Sequence, residues 1–134
     1  MRIGNLEVNN PIALGPMAGV TDWAFRNICA ELGAELTVTE MVSAKAVTFG
    51  DKKTGKLATI YDHDRPCALQ LFGCEPDIMA RAAQIVLDEY CPEIIDINMG
   101  CPVPKVAGNG SGSALMKNPK LFGEMVTAMV KATS

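Results

Sequence analysis

Short apolar runs alternate with longer amphipathic ones along almost the whole chain, and this order constrains the fold more than any other feature. Pro11–Leu14, Leu36–Met41, Cys67–Phe72 and Glu93–Asn98 have the length and apolar content of strands. The first intervening helix starts from a cap at Thr21 or Asp22 and runs to Leu32, with Gly33 as its stop. Its apolar face carries Trp23, Ile28 and Leu32, with Cys29 alongside. Another helix opens at Pro76, where the missing N–H costs nothing, and ends at Pro92. Ile78, Ala82, Ile85 and Glu89 share one face of it, mostly apolar. Asn118-Pro119 opens the last helix, with Leu121, Phe122, Met125, Val126 and Met129 at helical spacing. Residues 43–61 are less regular and read as a short helix near Ser43–Val47 followed by a polar loop. Residues 2–9 read as a hairpin turning at Gly4-Asn5.

A βα unit repeated four times argues for an α/β fold with a parallel sheet and right-handed crossovers. The architecture expected is parallel (βα) units of a TIM barrel, about four of eight, since a closed barrel takes roughly 250 residues and this chain has 134. The whole chain is then one N-terminal half-barrel, a fragment with two open sheet edges and an exposed apolar inner face, and either association of two copies or aggregation is expected of it. A net charge of -3 gives no global attraction for a polyanion, so a nucleic-acid substrate has to be argued from local features. The cysteines at 29, 67, 74, 91 and 101 have no metal-ligand spacing. With their odd number and a start, Met-Arg-Ile-Gly-Asn, lacking an apolar leader, reduced thiols, no metal and a cytoplasmic location are expected. No apolar stretch approaches the roughly 20 residues that span a bilayer.

In α/β barrels the chemistry lies at the carboxyl ends of the strands. The four strands here lead to Gly15-Pro16-Met17-Ala18, to Glu40-Met41, through Gln70, and to Asn98 with Cys101 just beyond. Pro16-Met17-Ala18-Gly19 makes a tight turn, with small residues against which a planar ligand could lie, although such a tetrapeptide alone is more often an ordinary βα turn. Gln70 is an amide inside an apolar strand, suited either to the edge of a heterocycle or to satisfying backbone in the core. Asp96 and Asn98 share one strand face; Asp96 reads as a structural hydrogen-bonding acid, Asn98 equally as structure or as a ligand contact. Cys101 stands in Asn98-Met-Gly-Cys-Pro-Val-Pro-Lys105, a turn at a strand end, whereas Cys29, Cys67, Cys74 and Cys91 read as packed thiols. The sole histidine, His63, lies in a polar loop and offers no partner for a nucleophile. A free thiol, with a reference pKa of about 8.5, is mostly protonated at neutral pH, which suits a proton donor better than a thiolate nucleophile. Lys105 is either a phosphate contact or a solvated lysine, and Gly108-Asn-Gly-Ser-Gly-Ser113 reads as a flexible rim loop, lacking the ending of a P-loop.

Taken together, Pro16-Met-Ala-Gly-Val-Thr-Asp22, Gln70, Asn98-Met-Gly-Cys-Pro, Lys105-Val106 and Gly110-x-Gly-Ser-Ala-Leu115 resemble the dihydrouridine synthases, with the bacterial B-type subgroup most similar. The resemblance covers nearly the whole chain. It implies an FMN enzyme, reduced by NADPH, that converts uridine in tRNA to 5,6-dihydrouridine. It assigns Pro16, Met17, Ala18 and Gln70 to the flavin and Cys101 to protonation of C5 after hydride reaches C6; Asn98 is then a candidate contact for the flavin or the uracil edge of the substrate, and Lys105 for an RNA phosphate. The target base has to leave its stack to meet the flavin. It also implies that the second half of the barrel and a helical tRNA-binding domain lie outside these residues. Two other readings compete: a different FMN barrel, such as a dihydroorotate dehydrogenase relative, whose flanking motifs differ, and a half-barrel that self-associates without catalysis.

Overall fold

A computed structural model describes all residues, 1–134. The chain begins with an antiparallel hairpin, β1 (Arg2–Ile3) and β2 (Leu6–Glu7), turning at Gly4 with φ +57°. Everything after it is mixed α/β around one parallel sheet. Ala13 bridges Leu36 in parallel; β3 (Thr37–Val38) and β4 (Val42–Ser43) both pair with β5 (Cys67–Phe72), which pairs with β6 (Ile94–Ile97). Spatial order therefore follows chain order across the sheet.

Two of the expected strands differ in detail. Pro11–Leu14 makes only the single bridge at Ala13, held by Leu14 N–H to Leu36 O at 2.9 Å and Glu35 N–H to Ile12 O at 3.0 Å. The strand expected at Leu36–Met41 is broken into β3 and β4. Thr37 and Val38 pair with Cys67 and Ala68, but Val42 and Ser43 pair with Leu71 and Phe72, so residues 39–41 lie opposite only 69 and 70. This is a β-bulge, which adds a residue to one strand and re-aims side chains. Within it the Gln70 N–H donates to the Thr39 hydroxyl at 3.1 Å instead of to a strand carbonyl.

The helices supply the core on one face of the sheet. α2 (Ala44–Thr48) is capped by Ser43. It is followed by α3 (Lys52–Ala58), in what reads from sequence as a polar loop. The Asp51 carboxylate caps α3, accepting from Thr54 N–H at 2.9 Å and Thr54 Oγ1 at 2.7 Å. α4 (Pro76–Tyr90) buries Met79, Ala82, Ala83 and Val86, so its core face is rotated from the expected Ile78–Ala82–Ile85–Glu89 stripe. α5 (Pro104–Ala107) is one short turn, and α6 (Pro119–Thr133) buries Met125 and Met129. These side chains enclose Leu69 and Leu71 of β5, with Ile95 and Ile97 of β6 packed against them. By the two-residue period of a strand, Ala68, Gln70, Asp96 and Asn98 face the other way.

Helix α1 (Trp23–Glu31) departs most from its pattern. Trp23, Ile28 and Leu32 of the expected apolar face are exposed, Leu32 to 83%, and Phe25 is exposed beside them. The one buried residue of α1 is Arg26, ion-paired with Asp64 at 2.8 Å. Of that side only Trp23 finds a neighbour, its ring centre 5.3 Å from Tyr61 and 6.0 Å from His63.

Candidate functional site

The carboxyl ends of the strands gather most of the residues singled out from sequence. Gln70 and Asp96 sit directly opposite each other in register, and Asn98 follows on the same face. Their side chains form a continuous line. Gln70 Nε2 donates to Asp96 Oδ2 at 2.6 Å, and Asn98 Nδ2 donates to Gln70 Oε1 at 2.8 Å. Asn98 Oδ1 accepts the backbone N–H of Cys101 at 3.1 Å. Asp96, read from sequence as a structural acid, is thus bonded to the Gln70 amide.

Cys101 is half-buried, and its backbone is held from both sides while its thiol is left without a bonded partner. Its N–H goes to Asn98, and its carbonyl accepts from Ser113 N–H at 3.0 Å. Gly112 permits that approach. It has φ +58°, and a Cβ there would stand 2.5 Å from the Cys101 carbonyl oxygen and 3.0 Å from Val106 Cγ1. The 108–113 segment, expected as a flexible rim loop, is exposed over Gly108–Gly110 and packed down over its second half, where Ser111 and Gly112 are buried and Leu115 behind them is in the core. Cys74, at the end of β5, donates its thiol to Asn109 O at 3.1 Å and so ties the same segment from the other side. The remaining cysteines behave as packed or surface thiols. Burial pushes the Cys67 thiol up from its ordinary value, against the opposing hydrogen bond from Thr37.

The Pro16–Gly19 turn is fixed by two residues that sequence reading did not single out for it. Thr21, fully buried, accepts the Met17 N–H at 2.9 Å, leaving Asp22 as the α1 cap through Phe25 N–H at 2.9 Å. Glu40, inside the bulge, accepts the Gly19 N–H at 2.6 Å and ties the turn to the next strand. The signal for Thr21 was its place within the Pro-Met-Ala-Gly-Val-Thr-Asp run; the signal for Glu40 was a carboxylate at a strand end. Met17 itself is 58% exposed, and nothing stands where a Cβ would on Gly15 or Gly19.

A flavin ring system fits these residues. It needs an open floor of small and apolar groups, which Pro16, Met17 and Ala18 provide, and donors along one edge. Gln70 Nε2 and Asn98 Nδ2 each spend one hydrogen within the relay, leaving a second on each amide. None of these five residues is a cation, so they would meet the ring and not its phosphate. Lys105 lies apart on α5, exposed and in no ion pair. His63 stacks on Tyr61 with ring centres 5.6 Å apart and lies 3.8 Å from Asp64. No group of three or more His, Cys, Asp or Glu side chains is placed to hold a metal, and no helix is long and apolar enough to cross a membrane.

The chain is 44% identical over its full 134 residues to tRNA-dihydrouridine synthase B of Pasteurella multocida, covering 40% of that protein. It is 42% identical over 132 residues to tRNA-dihydrouridine synthase B of Shewanella oneidensis, covering 98% of this chain and 41% of the relative. A probable tRNA-dihydrouridine synthase of Rickettsia conorii is 42% identical over 133 residues, again 98% of this chain and 40% of the relative. The chain therefore spans about two fifths of the length of these relatives. The family profile for dihydrouridine synthase matches residues 12–134, from the first bridge of the sheet to the end of α6, and so takes in the whole amide relay and Cys101: the chain belongs to the dihydrouridine synthase family.

Proposed function

We propose that this chain is the N-terminal part of an FMN-dependent, NADPH-driven enzyme that reduces a uridine of tRNA to 5,6-dihydrouridine. The observation that carries the reading is the line Asp96–Gln70–Asn98 along one sheet face, which ends on the backbone N–H of Cys101, a residue whose thiol has no bonded partner. Pro16, Met17, Ala18 and Gln70 would hold the flavin ring; Asn98 would meet the uracil edge and Lys105 an RNA phosphate. Bound FMN, reduced by NADPH, supplies the hydride for C6 of the uracil. Cys101 gives the Sγ proton to C5, and the resulting thiolate recovers a proton from solvent. With strands in sequential order and all parallel, the sheet is about four units of an eight-unit TIM barrel. The rest of the barrel and a helical tRNA-binding domain would belong to the remaining three fifths of the protein. The cytoplasm, where tRNA is modified, is the corresponding location.

Titrating the 134-residue chain with FMN, with sizing of the same sample, tests the cofactor assignment directly. Saturable quenching of flavin fluorescence is the expected result; no binding either here or by the complete protein would remove the flavin from the reading. A second reading, a self-associating half-barrel, is favoured by the exposed Phe25, Ile28 and Leu32 on α1 and by an apolar groove at the opposite edge. That groove is lined by Leu87, Ile95, Ile97, Val126 and Val130. Two copies would close both edges and complete eight strands. Light scattering that gives a monomer at micromolar concentration would exclude it.

A further inference from the structure

The amide relay has a direction. At one end the backbone N–H of Cys101 can only donate; at the other the Asp96 carboxylate can only accept. Between them stand two amides, each of which could in principle face either way. With Asn98 Oδ1 on the Cys101 N–H, Asn98 must offer its nitrogen to Gln70, and Gln70 must then offer its nitrogen to residue 96. Rotating either amide by half a turn would set donor against donor and acceptor against acceptor.

The two anchors are unequal. The contact at Asp96 is charge-assisted and short, 2.6 Å, while the contact at Cys101 is neutral and 3.1 Å. Charge-assisted hydrogen bonds are about twice as strong as neutral ones. Asp96 is also held by the sheet itself, paired in register with Gln70, whereas Cys101 sits in a turn. Gln70 is 6% exposed, so a misdirected amide there would have no water to satisfy it.

We propose that Asp96 is a positioning residue that fixes the direction of the Gln70–Asn98 amide relay, so that both amides keep a spare N–H for a carbonyl-edged ring and the Cys101 turn stays closed. The role rests on the flavin and uracil reading above, and it deepens that reading in one respect. A site that offers N–H groups accepts a ring edge carrying carbonyl oxygens and disfavours one carrying an amino group. Asp96 acts through Gln70 and Asn98; it transfers no proton itself. An asparagine at 96 could still accept from Gln70, but it would no longer compel that direction, because it can equally donate.

The test is nuclear magnetic resonance on the 134-residue chain, without flavin. Through-hydrogen-bond couplings are expected from Gln70 Nε2 to the Asp96 carboxyl carbon and from Asn98 Nδ2 to the Gln70 amide carbon. In Asp96→Asn both couplings are expected to weaken. Solvent exchange of the Gln70 side-chain hydrogens should speed up by about tenfold, the change in population that 1.4 kcal/mol of lost protection gives. The Cys101 backbone resonance should shift while the α4 and α6 resonances stay in place. Absence of the couplings in the unaltered chain overturns the relay, a measurement that needs no variant to fold. Unchanged couplings and exchange in Asp96→Asn overturn the role of Asp96 even if the relay exists. FMN titration of the same two samples separates the levels: a coupled relay in a chain and complete protein that bind no FMN would leave Asp96 as assigned and remove the flavin reading instead.

Discussion

The two ends of the parallel sheet are built on opposite rules. At the amino ends of the strands, charged groups are paired off against nearby partners. Arg65 bonds Glu93 Oε1 at 2.6 Å and the carbonyls of Cys91 and Tyr90, while Glu93 Oε2 takes the Cys67 N–H at 2.8 Å. Glu35 accepts from the Asn9 side chain and the Asn10 N–H, which lower its pKa despite some desolvation. Arg26 and Asp64 form a buried pair that also receives the Tyr61 N–H and reaches Thr21 and Thr59 carbonyls. At the carboxyl ends, by contrast, Gln70 and Asn98 keep spare donors, Cys101 keeps a free thiol, and Met17 stands in the open. Paired charge thus gathers at one rim and uncommitted donors at the other. Substitutions of the bonded side chains at the amino rim should therefore lower stability, and those of the unspent side chains at the carboxyl rim should lower turnover.

The largest expected effect is on turnover. In the complete enzyme, Cys101→Ala should lower dihydrouridine formation by about 10²- to 10⁴-fold, the usual worth of a positioned acid. Flavin reduction by NADPH and the melting temperature should stay as they were, because the thiol makes no bond the fold depends on. Product formation at the normal rate would show that the carboxyl rim does not supply its proton through Cys101.

At the amino rim the largest effect should come from Arg26→Ala. Both partners are buried, at 2% and 0% side-chain exposure, so removal of one strands the Asp64 charge. The expected loss is about 3–5 kcal/mol of folding free energy in denaturant melts. Arg26→Met combined with Asp64→Leu should recover most of it, since it removes both charges and keeps the volume. A double variant as unstable as the single one would mean that the hydrogen bonds to Thr21 and Thr59 matter more than the ion pair.

Gly112→Ala tests whether the two rims are as separate as the geometry suggests. A positive φ and a Cβ 2.5 Å from the Cys101 carbonyl oxygen combine backbone strain with a clash against the very turn that carries the thiol. A cost of about 1–3 kcal/mol is expected, together with reduced turnover. Loss of turnover without loss of stability would mark the 108–113 segment as positioning alone.

Sequence patterning reached the carboxyl rim more fully than the amino rim, for physical reasons. Gln70, Asp96 and Asn98 are legible because a polar group at alternate positions of an apolar strand must face somewhere other than the core. Cys101 is legible from its turn. Arg26 is not, because its burial depends on Asp64, which is 38 residues away. The bulge that turns Glu40 toward Gly19 is equally hidden, since a bulge is a property of two strands in register. α3 is hard to read from sequence because Thr54 and Gly55 interrupt it with a β-branched residue and a helix-weakening glycine; its Asp51 cap is the available signal. The exposed face of α1 shows the limit of periodicity: it marks apolar residues that require a neighbour but not whether this chain contains one.

Two smaller effects complete the amino rim. Burial alone would push the Glu93 carboxyl up, yet the Cys67 N–H and the Arg65 guanidinium together hold it below its reference value of 4.5. A carboxylate lowered on folding stabilises the protein above its unfolded pKa and loses that contribution as pH falls through the folded one. Stability should thus decline below about pH 4.5, and Glu93→Gln should flatten part of that decline while lowering stability at pH 7. Thermal melts from pH 7 to pH 3 follow both. An equally steep acid limb in the variant would assign it to other carboxylates.

The smallest effect should run in the opposite direction. Cys91 ends α4 with φ +47°, a left-handed conformation unusual for a side chain with a Cβ, while its N–H still reaches Leu87 O at 3.1 Å and its carbonyl receives Arg65 Nη1 at 2.7 Å. Those backbone bonds need only the conformation, not the thiol. Left-handed geometry costs an ordinary residue about 1–2 kcal/mol, and glycine returns about 0.5–1 kcal/mol of that through its looser unfolded chain. Cys91→Gly should therefore stabilise the chain by roughly 0.5 kcal/mol and leave turnover untouched. Destabilisation would mean that the Cys91 side chain, and not only its backbone, helps to brace the junction of α4, Arg65 and Glu93, and the amino rim would then rest on packing as well as on paired charge.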